Sequence, residues 1–164
     1  ALEKLSELCQ NIFIVGFSMG GLIAANLPHY HNVKGIVTLN TPIYPVNFSR
    51  MLKNLMYDIR TRKFDYLRSY ILSSFKVPFS TLIEFLKLLN ITKSKFKDLR
   101  YPLFVAQAME DDVVVPKSAL YIYNNTNSPD KIIKFYQPSN HFICHSPVAG
   151  ELFNDILAFI EQYG

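Results

Sequence analysis

One stretch of the sequence, Asn11 to Leu22, constrains the fold more than any other. It reads N-I-F-I-V-G-F-S-M-G-G-L: apolar residues typical of a buried strand run into a glycine-rich turn, and an apolar helical pattern follows. Ser18 therefore stands on a sharp turn between a strand and a helix. Small residues are expected two places to either side of it, because a side chain there would collide with neighbouring backbone. Gly16 and Gly20 meet that need.

This turn has two consequences for chemistry. The Ser18 hydroxyl would point away from the sheet, and the N–H groups that begin the next helix, Met19 first, would face an oxygen that becomes negative during acyl transfer. A serine hydroxyl is a poor nucleophile at neutral pH unless a base takes its proton. The pattern thus predicts a nucleophile at Ser18, against the alternative of a glycine-rich turn without chemistry.

Composition indicates an ordered globular chain. The residues are 49% hydrophobic and 18% charged. A length of 164 residues corresponds to one domain or part of one. The net charge is +4, but the basic residues crowd between Arg50 and Arg100 at helical spacing, which favours solvated helix faces over a nucleic-acid partner.

The cysteine content and the hydropathy pattern bear on the compartment. Cys9 and Cys144 are too few for a disulfide framework or a zinc site and favour a reducing compartment. No apolar run approaches the ~20 residues of a membrane span, and no signal peptide is visible. We therefore expect a cytoplasmic protein.

Strand and helix patterns alternate along the chain, which predicts an α/β fold with a mostly parallel sheet flanked by helices. A helix is predicted from Pro116 through Tyr123, and another after Ser146 as its N-cap. The predicted strands are Ile12 to Val15, Gly35 to Leu39, Leu103 to Ala108 and Lys131 to Tyr136. The first two of these strands are apolar on both faces.

Residues 44–99 break this alternation with long amphipathic stretches, and they predict a helical cap between core segments 1–43 and 100–164. A ligand crevice in an α/β sheet lies beyond the carboxyl ends of the strands, where such an insertion would project. The alternative is a packing excursion without a substrate role. The three predicted cap helices carry Met51, Leu52, Leu55, Met56 and Ile59; then Leu67, Tyr70, Ile71 and Phe75; then Leu82, Phe85, Leu86 and Leu89, opened by a Thr81-x-x-Glu84 capping box.

Four histidines are candidates for the base. His29 and His31 follow the helix after Ser18 and belong to the far end of the sheet, so we expect them at the surface. His145 lies near the start of the terminal helix, where a cap role is the simpler explanation. His141 lies in the loop beyond the last strand, on the same sheet edge as Ser18, and is the predicted base.

The base needs a carboxylate on its other ring nitrogen. Glu110, Asp111 and Asp112 all follow the Leu103 strand at the correct edge, and the residues alone leave the choice open.

The G-x-S-x-G turn between a strand and a helix, followed along the chain by an acid and then a histidine, resembles the α/β-hydrolase family. The segment Val105 to Ala108 before Asp111, the Tyr121-Ile122-Tyr123 helix and His141 resemble bacterial carboxylesterases of the Geobacillus type and monoacylglycerol lipases. This resemblance implies that Asp111 is the acid. Asp112 is the runner-up, because many hydrolases place the acid four residues before a proline.

The resemblance implies a serine carboxylesterase that acts on short- to medium-chain esters through a Ser18–His141–Asp111 triad, with the Met19 N–H as an oxyanion donor. It implies a small-molecule ester substrate, no metal and no cofactor. A monoacylglycerol lipase or a thioesterase is the alternative within the fold. A non-catalytic binding module with a vestigial triad is the alternative of another class. The oligomeric state stays open.

The sequence departs from the family pattern in two places. Asn140 stands before the histidine where the family usually has glycine, and asparagine is the next most tolerant of positive φ. Nothing before Asn11 supplies the second oxyanion N–H that the family carries upstream of the elbow. The resemblance therefore implies the C-terminal two thirds of a hydrolase, which alone would be nearly inactive and oligomeric or aggregation-prone.

Overall fold

The computed structural model describes residues 2–27, 29–44, 56–62 and 79–164. Short 3-10 helices lie at Phe96–Asp98 and Ile143–His145, and residues 56–61 are also helical. The remaining elements in chain order are α1 (Leu2–Leu8), β1 (Ile12–Phe17), α2 (Met19–Ala25), β2 (Val33–Leu39), α3 (Phe79–Lys95), β3 (Leu103–Ala108), α4 (Lys117–Asn125), β4 (Lys131–Tyr136) and α5 (Ala149–Tyr163).

The four strands form one parallel sheet in the order β1-β2-β3-β4, so the predicted α/β fold is confirmed. The predicted bounds of β3 and β4 match the structure, and β1 and β2 are each two residues longer than predicted. Since all strands run the same way, their carboxyl ends share one edge. That edge carries the residues after Phe17, Leu39, Ala108 and Tyr136.

Helices cover both faces of the sheet. On one face, α2, α3 and α4 enclose a core that contains Leu22, Ile36, Leu89, Val105 and Ile122. On the other face, α5 packs through a second core whose buried members are Val37, Leu39, Phe104, Ala106, Ala108, Tyr136, Ile143, Val148, Leu152, Ile156 and Phe159.

The outer part of β1 differs from the prediction that this strand is buried on both faces. Within the described residues, β1 pairs with β2 alone, and Val15 and Phe17 are substantially exposed. Their neighbour Phe13 on the same face packs edge-on against Phe159 of α5. That helix therefore covers the start of β1 and leaves the end of this face open near Ser18.

The predicted cap is described only in part. Helix α3 begins at Phe79, so Thr81 lies inside its first turn and the prediction that Thr81 opens the helix is wrong. The C-terminal half of α3 packs beside α2, because Leu89 is buried in the core on that face and Thr92 bonds to Asn26 at the end of α2. Phe85 is half-buried against the same core. The division of the chain at residues 44 and 99 stays a prediction, and Met51, Leu52, Leu55, Leu67, Tyr70, Ile71 and Phe75 lie outside the described residues.

The start of α5 corrects a second cap prediction. The helix begins at Ala149, with Val148 as its N-cap. Ser146 cannot serve that role because its Oγ donates to the carbonyl of Ile143, 2.7 Å away, at the end of the preceding 3-10 turn. A local turn thus takes the hydroxyl that the sequence pattern assigned to the helix.

In the part of the chain that the structure describes, no helix combines the length and the apolar character that crossing a membrane requires.

Candidate active site

Ser18 occupies a strained turn at the carboxyl end of β1. Its φ of 52° and ψ of −121° lie outside the regions that a serine ordinarily adopts. The turn is held because the Ser18 N–H donates to the carbonyl of Leu39 at the end of β2, 2.7 Å away. The Ser18 side chain makes no capping hydrogen bond to α2, so its hydroxyl is available to other groups.

Two glycines let the start of α2 approach β1 and β2. A β-carbon at Gly16 would lie 2.6 Å from the backbone of Gly20, so the turn does require glycine there, as predicted. The same prediction for Gly20 is wrong, because a β-carbon at that position meets no described atom within 4 Å. Gly21 is the second glycine that the packing requires, because a β-carbon there would overlap the side chain of Thr41.

His141 connects the serine to a carboxylate. Its Nε2 lies 3.2 Å from Oγ of Ser18, and its Nδ1 lies 2.8 Å from Oδ2 of Asp111. A carboxylate on Nδ1 favours the tautomer with hydrogen on Nδ1, which leaves the Nε2 lone pair directed at the serine hydroxyl. The hydrogen-bonded chain therefore has the order that proton removal from Ser18 requires.

The carboxylate of Asp111 is fully buried and satisfied on both oxygens. Its Oδ1 accepts the N–H groups of Val113 and Val114, at 2.7 and 2.8 Å, while its Oδ2 faces His141. Asp111 is 0% exposed and His141 is 9% exposed. Burial strengthens the electrostatic interaction of such a pair, and the two backbone donors fix which oxygen meets the histidine.

The remaining sequence candidates lie elsewhere. Asp112 is half-buried and Glu110 is exposed, and neither takes the place of Asp111 against His141. His29 and His31 are exposed at the opposite end of the sheet, as predicted, with His29 stacked on Tyr101. His145 is exposed in the 3-10 turn before α5.

The loop that carries His141 does not use the backbone conformation expected for it. Asn140 is not among the described residues with positive φ, so its tolerance of that conformation is not what shapes the loop. Instead, Oδ1 of Asn140 accepts the N–H of Phe142, 3.0 Å away, in an Asx turn. A side-chain hydrogen bond therefore helps to shape this loop.

Sequence reasoning missed Asn40, which directly follows the predicted Gly35 to Leu39 strand. The Asn40 side chain is buried between β3 and the loop that carries His141. Its Nδ2 donates to the carbonyl of His141, 2.7 Å away. The signal available in the sequence is an asparagine directly after a strand at the predicted active-site edge.

Apolar side chains border the hydrogen-bonded chain. Phe17 lies against the His141 ring, with the two ring centroids 5.1 Å apart, and Phe142 flanks both rings. Phe17, Phe142 and Met19 all retain substantial exposed surface. A separate groove of about 490 Å³ is lined largely by residues between Pro138 and Pro147, in and after the loop that carries His141. Ser18 is not part of this lining.

Among residues 2–27, 29–44, 56–62 and 79–164, no three histidine, cysteine, aspartate or glutamate side chains are grouped so that they could hold a metal ion.

A parallel sheet with a serine elbow, and a histidine and a carboxylate at the same edge, define the α/β hydrolases as the class of protein. The family described as serine aminopeptidase, S33 (Hydrolase_4) matches residues 3–147, and the chain belongs to this family. The predicted resemblance to the α/β hydrolases is confirmed.

Named relatives agree with this assignment. The chain is 26% identical to a carboxylesterase of Bacillus subtilis (strain 168) over 163 residues, which cover 96% of the chain and 66% of that relative. It is 28% identical to the thermostable monoacylglycerol lipase of Bacillus sp. (strain H-257) over 148 residues, 84% of the chain and 57% of that relative. The chain thus spans 66% and 57% of the lengths of these relatives.

Solved structures share the fold. A structure from work on the metagenome-derived lipolytic enzymes LipS and LipT matches with a TM-score of 0.72 and 18% identity. The match covers 98% of this chain and 69% of the other.

Proposed function

We propose that the protein is a serine carboxylesterase in which Ser18 is the nucleophile, His141 the general base and Asp111 the orienting acid. The observation that carries this proposal is the hydrogen-bonded chain from Oγ of Ser18 through His141 to Asp111, with distances of 3.2 and 2.8 Å. All three side chains come from separate loops at one sheet edge. The strained backbone of Ser18 adds support, because such strain is concentrated at functional sites.

In the proposed reaction, Oγ of Ser18 bonds to the ester carbonyl carbon while its proton passes to Nε2 of His141. The carbon–oxygen bond to the alcohol then breaks, and His141 returns the proton to the departing alcohol. Water repeats the sequence on the acyl-enzyme: His141 takes its proton, the acid product leaves, and Ser18 recovers its hydrogen.

The carbonyl oxygen becomes negative in both halves of this reaction. The Met19 N–H, the first of α2, belongs to the backbone donors that have no partner within their own helix. We therefore assign it as one oxyanion donor. The approach of α2 that Gly16 permits keeps this N–H beside the serine.

A short- to medium-chain ester is the proposed substrate. Phe17, Met19 and Phe142 offer an apolar surface beside Ser18 and His141, which suits an alkyl group better than a peptide or a sugar. A cytoplasmic location and the lack of a nucleic-acid partner stay predictions from the sequence.

A monoacylglycerol is the second candidate substrate, because a relative with 28% identity is named a monoacylglycerol lipase. A panel of p-nitrophenyl acetate, butyrate and octanoate, a monoacylglycerol and an aminoacyl p-nitroanilide separates the candidates. Turnover confined to the monoacylglycerol would favour the lipase, and turnover confined to the anilide would contradict both ester proposals.

The decisive experiment is covalent labelling of the complete natural protein with a fluorophosphonate, followed by peptide mapping. We expect a single label on Ser18, lost in Ser18→Ala together with ester hydrolysis, and retained in Ser94→Ala, which removes an exposed serine hydroxyl of α3. A protein that neither takes the label nor hydrolyses any ester would instead be a binding module with a vestigial triad.

A further inference from the structure

Asn40 lies at the junction between β2, β3 and the loop of His141. It directly follows β2, is 0% exposed, and has a φ of 47°. Its backbone N–H donates to the carbonyl of Ala106 in β3, 3.0 Å away. The main chain of Asn40 is therefore held against β3.

The side-chain amide of Asn40 spans two other elements. Its Oδ1 accepts the N–H of Ala108 at the end of β3, 2.7 Å away. Its Nδ2 donates to the carbonyl of His141 at 2.7 Å and lies 3.4 Å from that of Asn140. The acceptor oxygen and the donor nitrogen of this amide are thus both used. Both contacts of the nitrogen are with carbonyls of the loop that carries the proposed base.

The residue before Asn40 holds the other reacting group. The Leu39 carbonyl accepts the N–H of Ser18, so one dipeptide at the end of β2 contacts the main chain of both Ser18 and His141. The His141 carbonyl also accepts the N–H of Ile143, but that bond lies within the loop and cannot fix the loop against the sheet.

We propose that Asn40 is a positioning residue that sets the distance between His141 and Ser18, an inference that rests on the proposed function. The distance from Nε2 to Oγ is 3.2 Å, at the outer end of the range for proton transfer. A displacement of the loop away from β2 would take the base out of reach. A misplacement of about 1 Å costs on the order of 10² in rate.

A purely conformational role for Asn40 is the alternative, because asparagine and glycine tolerate a φ of 47° better than other residues. Two substitutions separate the roles. Asn40→Gly keeps this backbone conformation and removes the amide. Asn40→Asp keeps the side-chain shape and an acceptor for the Ala108 N–H, but it turns a carboxylate oxygen toward the His141 carbonyl.

The matched control is Asn125→Asp in α4. The Nδ2 of Asn125 donates to the carbonyl of Tyr121 at 2.9 Å, so the same chemical change removes the same kind of bond. Asn125 ends α4 at the edge of the sheet opposite the site.

The test measures kcat and KM for p-nitrophenyl butyrate, the rate of fluorophosphonate labelling and thermal unfolding in the complete natural protein. For Asn40→Gly and Asn40→Asp we expect kcat and the labelling rate to fall about 10²-fold, with KM changed less than about threefold. Asn125→Asp should match the wild type in all three kinetic values.

Kinetic values within threefold of wild type in both Asn40 variants would overturn the inference, and so would loss of cooperative unfolding in both, since Asn40 would then act on the fold. Asn40→Gly decides the matter if Asn40→Asp alone fails to fold. A wild-type protein without label or turnover would instead refute the proposed function.

Discussion

Replacing Asp111 with asparagine tests the role of the carboxylate, because the structure gives partners for both of its oxygens. The Val113 and Val114 N–H groups donate to Oδ1 at 2.7 and 2.8 Å, so the carbonyl oxygen of an asparagine would take that position. Its NH₂ group would then replace Oδ2 and face Nδ1 of His141. Because an NH₂ group only donates, Nδ1 must accept, and the proton of His141 moves to Nε2.

In that tautomer, Nε2 carries a hydrogen and cannot take the proton of Ser18. The same substitution in a related triad lowers kcat by about 10⁴, and we expect a similar loss here. The hydrogen bonds from the Val113 and Val114 N–H groups survive this substitution, so KM should change little.

The assay is p-nitrophenyl butyrate turnover with circular dichroism as a check on folding. Asp112→Asn is the matched control, because Asp112 is the neighbouring carboxylate, whereas the carboxylate bonded to Nδ1 of His141 is that of Asp111. Its kcat should stay within about threefold of wild type. A large loss in Asp112→Asn with near-normal Asp111→Asn would transfer the acid role to Asp112 and refute the reasoning.

Three further predictions concern packing and protonation. Gly21→Ala should lower the free energy of unfolding by about 1–3 kcal/mol in urea denaturation, because its β-carbon would overlap Thr41, whereas Gly20→Ala should not destabilise. Tyr136→Phe should cost about 1–2 kcal/mol by removing the 2.6 Å hydrogen bond to Asp155, and an unchanged midpoint would contradict this. Burial raises the pKa of the Cys144 thiol, so at pH 8 Cys144 should react with a thiol reagent more slowly than exposed Cys9. Its reaction should become faster as the pH rises through that raised pKa, and a Cys144 that reacts faster than Cys9 at pH 8 would contradict this prediction.

The parts of the fold that the sequence predicted are those that local patterns encode. The bounds of β3 and β4 follow from short runs in which most residues are aliphatic or aromatic. Parallel strands oblige their carboxyl ends to share an edge. That rule alone brings the residues after Phe17, Ala108 and Tyr136 together, and it is why the sequence predicts Ser18 and His141 at one site.

The parts that the sequence did not predict depend on contacts between distant residues. Gly21 must be glycine because of Thr41, and Asn40 reaches a carbonyl of a residue one hundred and one positions along the chain. No periodicity in one segment reports such a contact. The N-cap assigned to Ser146 failed for a related reason, since a 3-10 turn competed for the same hydroxyl.

Direct trapping of the acyl-enzyme tests the central claim, that Ser18 carries the acyl group between two steps. The complete natural protein is mixed with p-nitrophenyl butyrate, quenched in acid within the first turnover, digested and examined by mass spectrometry. We predict a butyryl group on the peptide that contains Ser18, absent in Ser18→Ala, together with a burst of p-nitrophenol. Turnover without any acylated peptide, or a butyryl group on another residue in catalytic amount, would contradict the account.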